Sequence, residues 1–350
     1  IIGSDGKYSV LTSLKFFIEE NNQKVSAFIS PSLFDIRERF WIGKRYLSYN
    51  EIKKTIKLIK KFKVPLTIFE LFTLIYIINV SNEENEYNLI EAGALFAKDS
   101  TNLFDFPKSQ IVVNINKQHL NFVKKKTIKE IINQKVGYLS RFTKIYIGEQ
   151  NKNNLKIIKK ILKKNASEKV YSQNWKLVKK KNKYFYQDSN SKIFLNSRNI
   201  NSTGLLKNLC LAIKVAKDLG IEKNVITKAI PKIKFEGRVQ FIRKGKIKKK
   251  LFRNEKLIID GCHSKISAEN FVKYLKTINL PKYGIWGMTP NKDPSKFLKV
   301  FRGIFKKIVT VPIESNPNFI SPKSLKNVCK ENNIICDHAN GLSQAVKIVS

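Results

Sequence analysis

Histidine is scarce in this chain, three residues in 350, beside a single methionine and four cysteines. Cys210, Cys262, Cys329 and Cys336 form no C-x-x-C pair, and their spacing suits neither a zinc site nor a disulfide framework. They read as reduced, mostly buried thiols of a cytoplasmic protein. Acidic residues are few as well: 27 against 67 Lys and Arg, a net charge of +40. Such a charge raises nucleic-acid binding as a function class. The lysines, however, are spread from end to end, and no RNA-binding or helix-turn-helix signature accompanies them. A Lys-, Asn- and Ile-rich compositional bias on solvated faces is the preferred explanation, and no specific nucleic acid is expected as a partner. No signal peptide is expected. The most apolar run, Leu66–Val80, is short for a membrane span and contains Glu70. It is expected to be a core helix, with no membrane partner.

What is present is an α/β pattern. With 42% hydrophobic residues the chain can bury a real core, and its length suggests two domains, expected at 1–232 and 233–350. Its opening, IIGSDGKYSV, reads as the end of a buried strand, a tight loop and a helix start. Gly3 and Gly6 permit close backbone approach. Lys7 supplies a point charge and Ser9 a hydroxyl, and the loop N–H groups would cradle an anion. The loop is a shortened relative of the nucleotide phosphate loop, G-S-D-G-K-Y-S rather than G-x-x-x-x-G-K-[ST]. Only Ile1 and Ile2 precede it, with no initiator Met, so N-terminal sequence is expected to be missing.

Downstream, the spacing predicts a helix over Val10–Glu20 and a buried strand over Lys24–Ser30, halted by Pro31. An irregular aromatic segment follows, with Gly43 as a turn. Helices are predicted over Tyr49–Phe62 and after Pro65, the second capped by Thr67. Strands follow at Tyr87–Glu91, Ile111–Ile115 and Lys144–Gly148, with a helix at Thr127–Gln134. The basic stretch 151–183 reads as a helix and a short β excursion, preferably a solvated surface insertion. Ser202–Leu219 is a helix closed by Gly220. KFEGRVQFI and the lysine run KGKIKKK suggest an exposed hairpin. From LIIDG (Leu257–Gly261) a second strand–helix alternation runs to a last helix at Leu342–Val349. The pattern predicts an α/β fold: a parallel-sheet domain behind the phosphate-type loop, then a smaller second α/β domain. Ligands of such sheets sit outside the carboxyl ends of strands, where Gly3–Ser9, Ser30, Glu91, His119 and Asp260 fall. A hydroxyl, a carboxylate and an imidazole at 30, 91 and 119 suggest a Mg²⁺ site bridging nucleotide phosphates, although histidine is an unusual magnesium ligand.

The order of motifs resembles folylpolyglutamate synthase/dihydrofolate synthase, within the Mur-ligase superfamily. GSDGKYS is similar to the family's GTNGKGS, ISPSL to TSPHL, and LTIFELFT to LTxFExxT. LIEAGALFAKDSTN resembles LEVGLGGRLDATN, and VVNINKQHLNFV resembles VTxIGLDHxxxL. NQKVGYL is similar to REKAGII, FEGRVQFI to xPGRxQxx, LIIDGCHS to LLDGAHN, and GIWGMTPNKD to xxGxMxDKD. The resemblance implies an ATP-dependent ligase built from a parallel-sheet, P-loop (Mur-ligase-like) ATPase domain and a smaller α/β Rossmann-like C-terminal domain. It joins L-glutamate to dihydropteroate, or to the γ-carboxylate of folate, through an acyl phosphate.

Carried over residue by residue, the resemblance implies that Ser4, Asp5, Gly6, Lys7 and Ser9 hold phosphates. Asn208, Arg238, Asp260 and His263 contact nucleotide. Ser30, Glu91 and His119 bind Mg²⁺. Lys135 matches a lysine that the family carbamylates, and with Lys7 and His119 it completes the implied catalytic set. Thr67, Ile68 and Phe69, with Lys98, Asp99 and Ser100, fall in pterin-binding stretches. ATP, a folate-type acid and L-glutamate are the implied partners of a cytoplasmic monomer. The chain departs from the family pattern at Tyr8, Ser32, Ala94, Leu95, Phe96, Lys98 and Ser264, and it is expected to stop before the family's closing strand. These departures motivate an alternative, a catalytically impaired nucleotide- or folate-binding relative. A nucleic-acid-binding module rests on charge alone. A peptidoglycan ligase of the Mur type fits SPSL and DGCHS less well.

Overall fold

A computed structural model describes residues 1–350 apart from 119, 163–166, 198, 201, 291–292 and 315. The chain divides into two compact units, Ile1–Ile200 with Gly204–Lys234, and Phe235–Ser350 with Asn201–Thr203.

In the first unit the elements are α1 (Lys7–Glu20), β1 (Val25–Phe28), β2 (Phe40–Ile42), β3 (Arg45–Tyr46), α2 (Tyr49–Lys60), α3 (Ile68–Val80) and β4 (Tyr87–Ile90). They continue with β5 (Ser109–Val112), α4 (Ile128–Val136), β6 (Lys144–Ile147), α5 (Lys152–Leu162) and β7 (Glu168–Val170). Then come β8 (Trp175–Lys180), β9 (Lys183–Asp188), β10 (Lys192–Phe194), α6 (Thr203–Asp218) and α7 (Lys223–Ala229).

One ladder runs β3-β2-β1-β4, with β1 and β4 parallel; a second runs β5-β6-β7, all parallel. Residues 1 and 2 join them. Ile1 donates to the Ile90 carbonyl at 2.7 Å and accepts from Ala92 N–H at 3.0 Å. Ile2 donates to Ile111 O and accepts from Val113 N–H, each at 2.8 Å. This two-residue strand is parallel to β5. The carboxyl ends of β1, β4, β5 and the opening segment therefore lie along one edge.

Local chemistry explains the helices. Ser48 with Glu51 forms a capping box at α2, and Thr67 with Glu70 forms one at α3. Pro65 lies two residues before the Thr67 cap. α2 and α3 cover Phe28, Phe40 and Ile42 of β1 and β2, with Ile75 and Tyr76 in the same core. α4 and α5 bury Ile131, Ile132, Ile158 and Leu162 against Ile2, Val112, Ile145 and Val170.

The structure corrects several expectations. The aromatic segment after Pro31 holds the β2–β3 hairpin, turning at Gly43 with φ +63°, and it extends the sheet. Only part of α3 is core: Ile75 and Tyr76 are buried, while Ile68 is 71% exposed. The basic stretch 151–183 is no solvated insertion. Its helix α5 is amphipathic, with lysines on one side and Ile158 and Leu162 on the other, and β7 is the edge strand of the parallel ladder, with Val170 in the core. β8, β9 and β10 form an antiparallel sheet whose inner face buries Trp175, Tyr186 and Ile193.

The second unit holds β11 (Gln240–Ile242), β12 (Leu257–Ile259), α8 (Lys265–Leu275), β13 (Tyr283–Trp286) and α9 (Pro294–Lys299). It closes with β14 (Lys307–Thr310), α10 (Pro322–Glu331), β15 (Cys336–His338) and α11 (Leu342–Val349). β13-β14-β15 is a parallel ladder, covered by α8, α9 and α10 through Ala268, Phe297, Leu298 and Leu325. β12 does not start this ladder: it pairs antiparallel with β11. β15, a three-residue strand, had no period-2 pattern long enough to read.

Trp175 tests the corrected reading of the basic stretch. It is 2% exposed. Trp175→Ala should destabilise the chain by about 3 kcal/mol or more, seen as a lower urea midpoint. A change within about 0.5 kcal/mol, the range of surface substitutions, would contradict its core placement.

Candidate functional site

The parallel strands deliver the opening loop to the start of α1. Gly3 has φ +146° and Gly6 φ +107°, backbone that side-chain-bearing residues rarely adopt. A Cβ on Gly3 would meet Val113 Cγ2 at 2.4 Å, and one on Gly6 would meet Asn208 Nδ2 at 2.4 Å. Gly6 is the N-cap of the 14-residue α1, and no side chain caps that helix. Its first-turn N–H groups and positive dipole end form an anion cradle.

The loop is clamped from below. Ser4 N–H donates to Asn114 O at 2.8 Å, and Ser4 Oγ accepts from Asn116 N–H at 3.1 Å. The Asp5 carboxylate accepts from Asn116 Nδ2 at 2.6 Å and Gln118 Nε2 at 3.1 Å. Asp5 thus shapes the loop. Ser9 Oγ donates to Gly6 O and accepts from Asn208 Nδ2, both at 2.9 Å, which ties α6 to the cradle.

Charge is concentrated beside it. Lys7 Nζ lies 3.4 Å from Gly3 O and 3.7 Å from Glu91 Oε1. Glu91, 3% exposed, follows β4 and accepts from Ser30 N–H at 3.2 Å. Ser30 Oγ accepts from Arg39 at 3.1 Å, while the Arg39 guanidinium stacks on Phe72 at 4.8 Å. Lys135, 1% exposed on α4, donates to Gly3 O at 2.9 Å and Ala94 O at 2.5 Å. Burial, aided by Lys7, pushes its amine down to about 7.

Lys7, Ser30, Glu91, Lys135, Ser9 and Asn208 are therefore joined by one set of contacts around Gly3–Ser9. His119 lies outside the described residues. Among the described residues no three His, Cys, Asp or Glu side chains group to hold a metal ion. The neighbouring loop is built by Asp99, whose carboxylate accepts from Gly93 N–H at 3.0 Å and from Thr101 N–H at 3.0 Å. Ser100 Oγ and Thr73 Oγ1 are 2.7 Å apart, and Lys98 is exposed. Thr67 caps α3, and Phe69 packs on Phe28 at 5.8 Å and under Gly93.

In the second unit Arg238, Asp260 and His263 cluster by themselves. Asp260 accepts from Val239 N–H and Cys262 N–H, each at 2.8 Å. Burial raises its pKa, opposed by those N–H groups and Arg238. Arg238 donates to Gly237 O at 3.0 Å and crowds the place a Gly261 Cβ would take. His263 Nδ1 is 2.9 Å from Gly261 O. Val239 is buried with φ +48°, a strained conformation for a β-branched residue.

Solved structures share this architecture. The fold is that of folylpolyglutamate synthase. The Thermotoga maritima folylpolyglutamate synthase matches with TM-score 0.79 and 22% identity, over 97% of this chain and 80% of that one. Escherichia coli FolC in complex with DHPP and ADP matches with TM-score 0.86 and 18% identity, over 99% and 81%. The bifunctional folylpolyglutamate synthase/dihydrofolate synthase with Mn, AMPPNP and L-glutamate bound matches with TM-score 0.82 and 19% identity, over 99% and 82%. No family model matches the chain, and no curated protein matches it in sequence.

Sequence reading missed Arg39, Asn114, Asn116 and Gln118, which the structure places around the loop and Ser30. Arg39 sits in DIRERF, which carries no periodicity pointing inward. The amides lie in NINKQ, where Asn and Gln read as ordinary turn residues.

Lys135 carries a pH test. An unfolded lysine titrates near 10.5, so from about pH 7 to that value only the unfolded chain holds this proton. Stability from this position therefore rises with pH across that window. Urea midpoints at about pH 6.5, 8 and 9.5 should climb relative to Lys135→Met, which lacks the slope. Parallel pH profiles for the two chains would contradict the burial of its amine.

Proposed function

We propose that this chain is an ATP-dependent ligase. It joins L-glutamate to dihydropteroate, or to the γ-carboxylate of a folate, through an acyl phosphate. The observation that carries the proposal is the uncapped N-terminus of α1, with Lys7 and Glu91 3.7 Å apart beside it. It lies in a fold whose solved examples are described with ADP, AMPPNP, Mn, DHPP and L-glutamate.

A carboxylate is a poor electrophile until one oxygen becomes a leaving group. Its oxygen attacks the γ-phosphorus, ADP departs, and an acyl phosphate remains. The glutamate amine then attacks the carbonyl carbon to form the C–N bond, the C–O bond to the phosphoryl group breaks, inorganic phosphate leaves with that oxygen and the electron pair, and the nitrogen loses a proton. In this scheme the first-turn N–H groups of α1 and Lys7 bind the phosphates and offset charge on the transferring phosphoryl group. Ser9 and Asn208 hold the helix start in place. Asp5 and Ser4 set the loop from beneath. Arg238, Asp260 and His263 are assigned to nucleotide contacts. The 67–69 and 98–100 stretches are assigned to the pterin.

Ser30 and Glu91 offer hard oxygen donors. Two such donors suit Mg²⁺, which keeps waters and phosphate oxygens in its shell, better than an all-protein cage. His119 is assigned as their partner. The metal would supply Lewis-acid stabilisation of phosphate charge. Lys135 as a free ammonium would repel it. With its amine near pH 7 neutral enough to react with carbon dioxide, a carbamate there would instead attract it.

The assay is ATP-dependent phosphate release. It should require both dihydropteroate (or a folate) and L-glutamate. Lys7→Ala should lower kcat/KM by roughly a hundredfold, and Glu91→Gln should raise the Mg²⁺ needed for half-maximal rate. Calorimetric binding of ATP·Mg²⁺ without phosphate release would favour the non-catalytic relative instead. Absence of both would overturn the proposal.

A further inference from the structure

The antiparallel sheet β8-β9-β10 has an outer face that the ligase reading does not use. Side chains alternate across strands, so register assigns them. The inner face carries Leu177, Tyr186 and Ile193 in one row. Asp188, the only acidic residue of the three strands, belongs to that side and pairs with Lys217.

The outer face is three rows. Lys176 faces Gln187, which faces Lys192. Val178 faces Phe185, which faces Phe194. Lys180 faces Lys183. An apolar, aromatic row is thus flanked on both sides by lysines, with no acidic side chain from these strands.

The two rings pack beside each other, tilted by 42°, with Phe185 half-buried. Phe185 and Phe194 centroids are 5.4 Å apart, and Phe194 is 40% exposed. Lys192 Nζ stands over Phe185 at 4.7 Å, and Lys183 Nζ over Phe194 at 5.6 Å. These cation–π contacts keep an ammonium group close to each ring.

We propose that this face binds single-stranded nucleic acid without sequence preference: bases stack on Phe185 and Phe194, and phosphates run over Lys176, Lys180, Lys183 and Lys192. Stacking platforms with a cationic border are how sheets take up single strands. A lipid surface is a poorer match, because it favours a broad apolar face, whereas here Val178, Phe185 and Phe194 form a single row between lysine rows. The inference departs from the expectation that the positive charge is only compositional.

The test uses the full chain and a fluorescein-labelled oligouridylate of about twelve nucleotides, read by fluorescence anisotropy. Affinity should fall with salt at a log–log slope of about −3, as expected for four phosphate contacts on a single strand. Phe194→Ser, at an exposed position, should weaken binding by roughly tenfold. So should changing Lys176, Lys180, Lys183 and Lys192 to Gln together. The matched control changes Lys244, Lys246, Lys249 and Lys250, exposed in the β11–β12 connection, to Gln; its affinity should stay within about twofold. Equal losses in the two lysine sets would overturn the proposal as mere net charge. So would no binding at low salt, or binding to phosphatidylserine vesicles in place of the oligonucleotide.

Discussion

The architecture of the first unit depends on two residues hydrogen-bonded between two ladders. Ile1 and Ile2 take up backbone groups of Ile90, Ala92, Ile111 and Val113, and so convert a mixed ladder and a parallel one into one surface. A buried sheet tolerates no unpaired N–H or C=O, so this short segment is held at both edges. Its direction, parallel to β5, fixes where the chain emerges. Gly3–Gly6 then turns onto α1 at the edge where β1 and β4 also end. That shared edge is why Ser30, Glu91 and Lys7 meet.

Once the loop is in place, electrostatics follow from burial. Glu91 is almost wholly enclosed, and Lys7 stands close to it, with Arg39 on its far side through Ser30. Lys135 is buried among carbonyls, and its charged form is disfavoured both by lost hydration and by Lys7. Two lysines with opposite demands thus flank one loop. Lys7 keeps a carboxylate partner at 3.7 Å, whereas burial disfavours the charged form of Lys135. The uncapped helix end between them is the complement of an anion, and the Asn116 and Gln118 amides hold the Asp5 carboxylate beneath the loop.

The second unit repeats the strategy in smaller form. A buried carboxylate, Asp260, is satisfied by two backbone N–H groups at a strand end, and the strained Val239 provides one of them. Strain of this kind persists only where surrounding contacts over-determine it, and it collects at binding sites. The lysine-rich composition serves two purposes in the first unit. On α5 lysines form the solvated side of a core helix, while on β8–β10 they are aligned by register beside the half-buried Phe185 and the exposed Phe194.

Much of this was legible in the residues alone. Helix starts carried their caps: Thr67 with Glu70 marks α3, and Gly220 closes α6 at φ +89°. The ordered motifs pointed to the fold that the solved structures share. Segments with weak or misleading periodicity were not legible. The 151–183 stretch looked solvated because lysines outnumber apolar residues there, yet Ile158 and Leu162 recur at helical spacing and bury α5. β12 looked like the first strand of a parallel ladder until its partner proved to be β11, because strand pairing is a long-range choice that a short apolar run does not encode. Arg39, Asn116 and Gln118 were invisible for the same reason: their roles arise from neighbours distant in the chain. Residue types, caps and turn glycines follow from local chemistry and could be read directly. Which carboxylate meets which lysine, and how far a buried amine is pushed from its ordinary protonation, depend on desolvation and distance, which only packing creates.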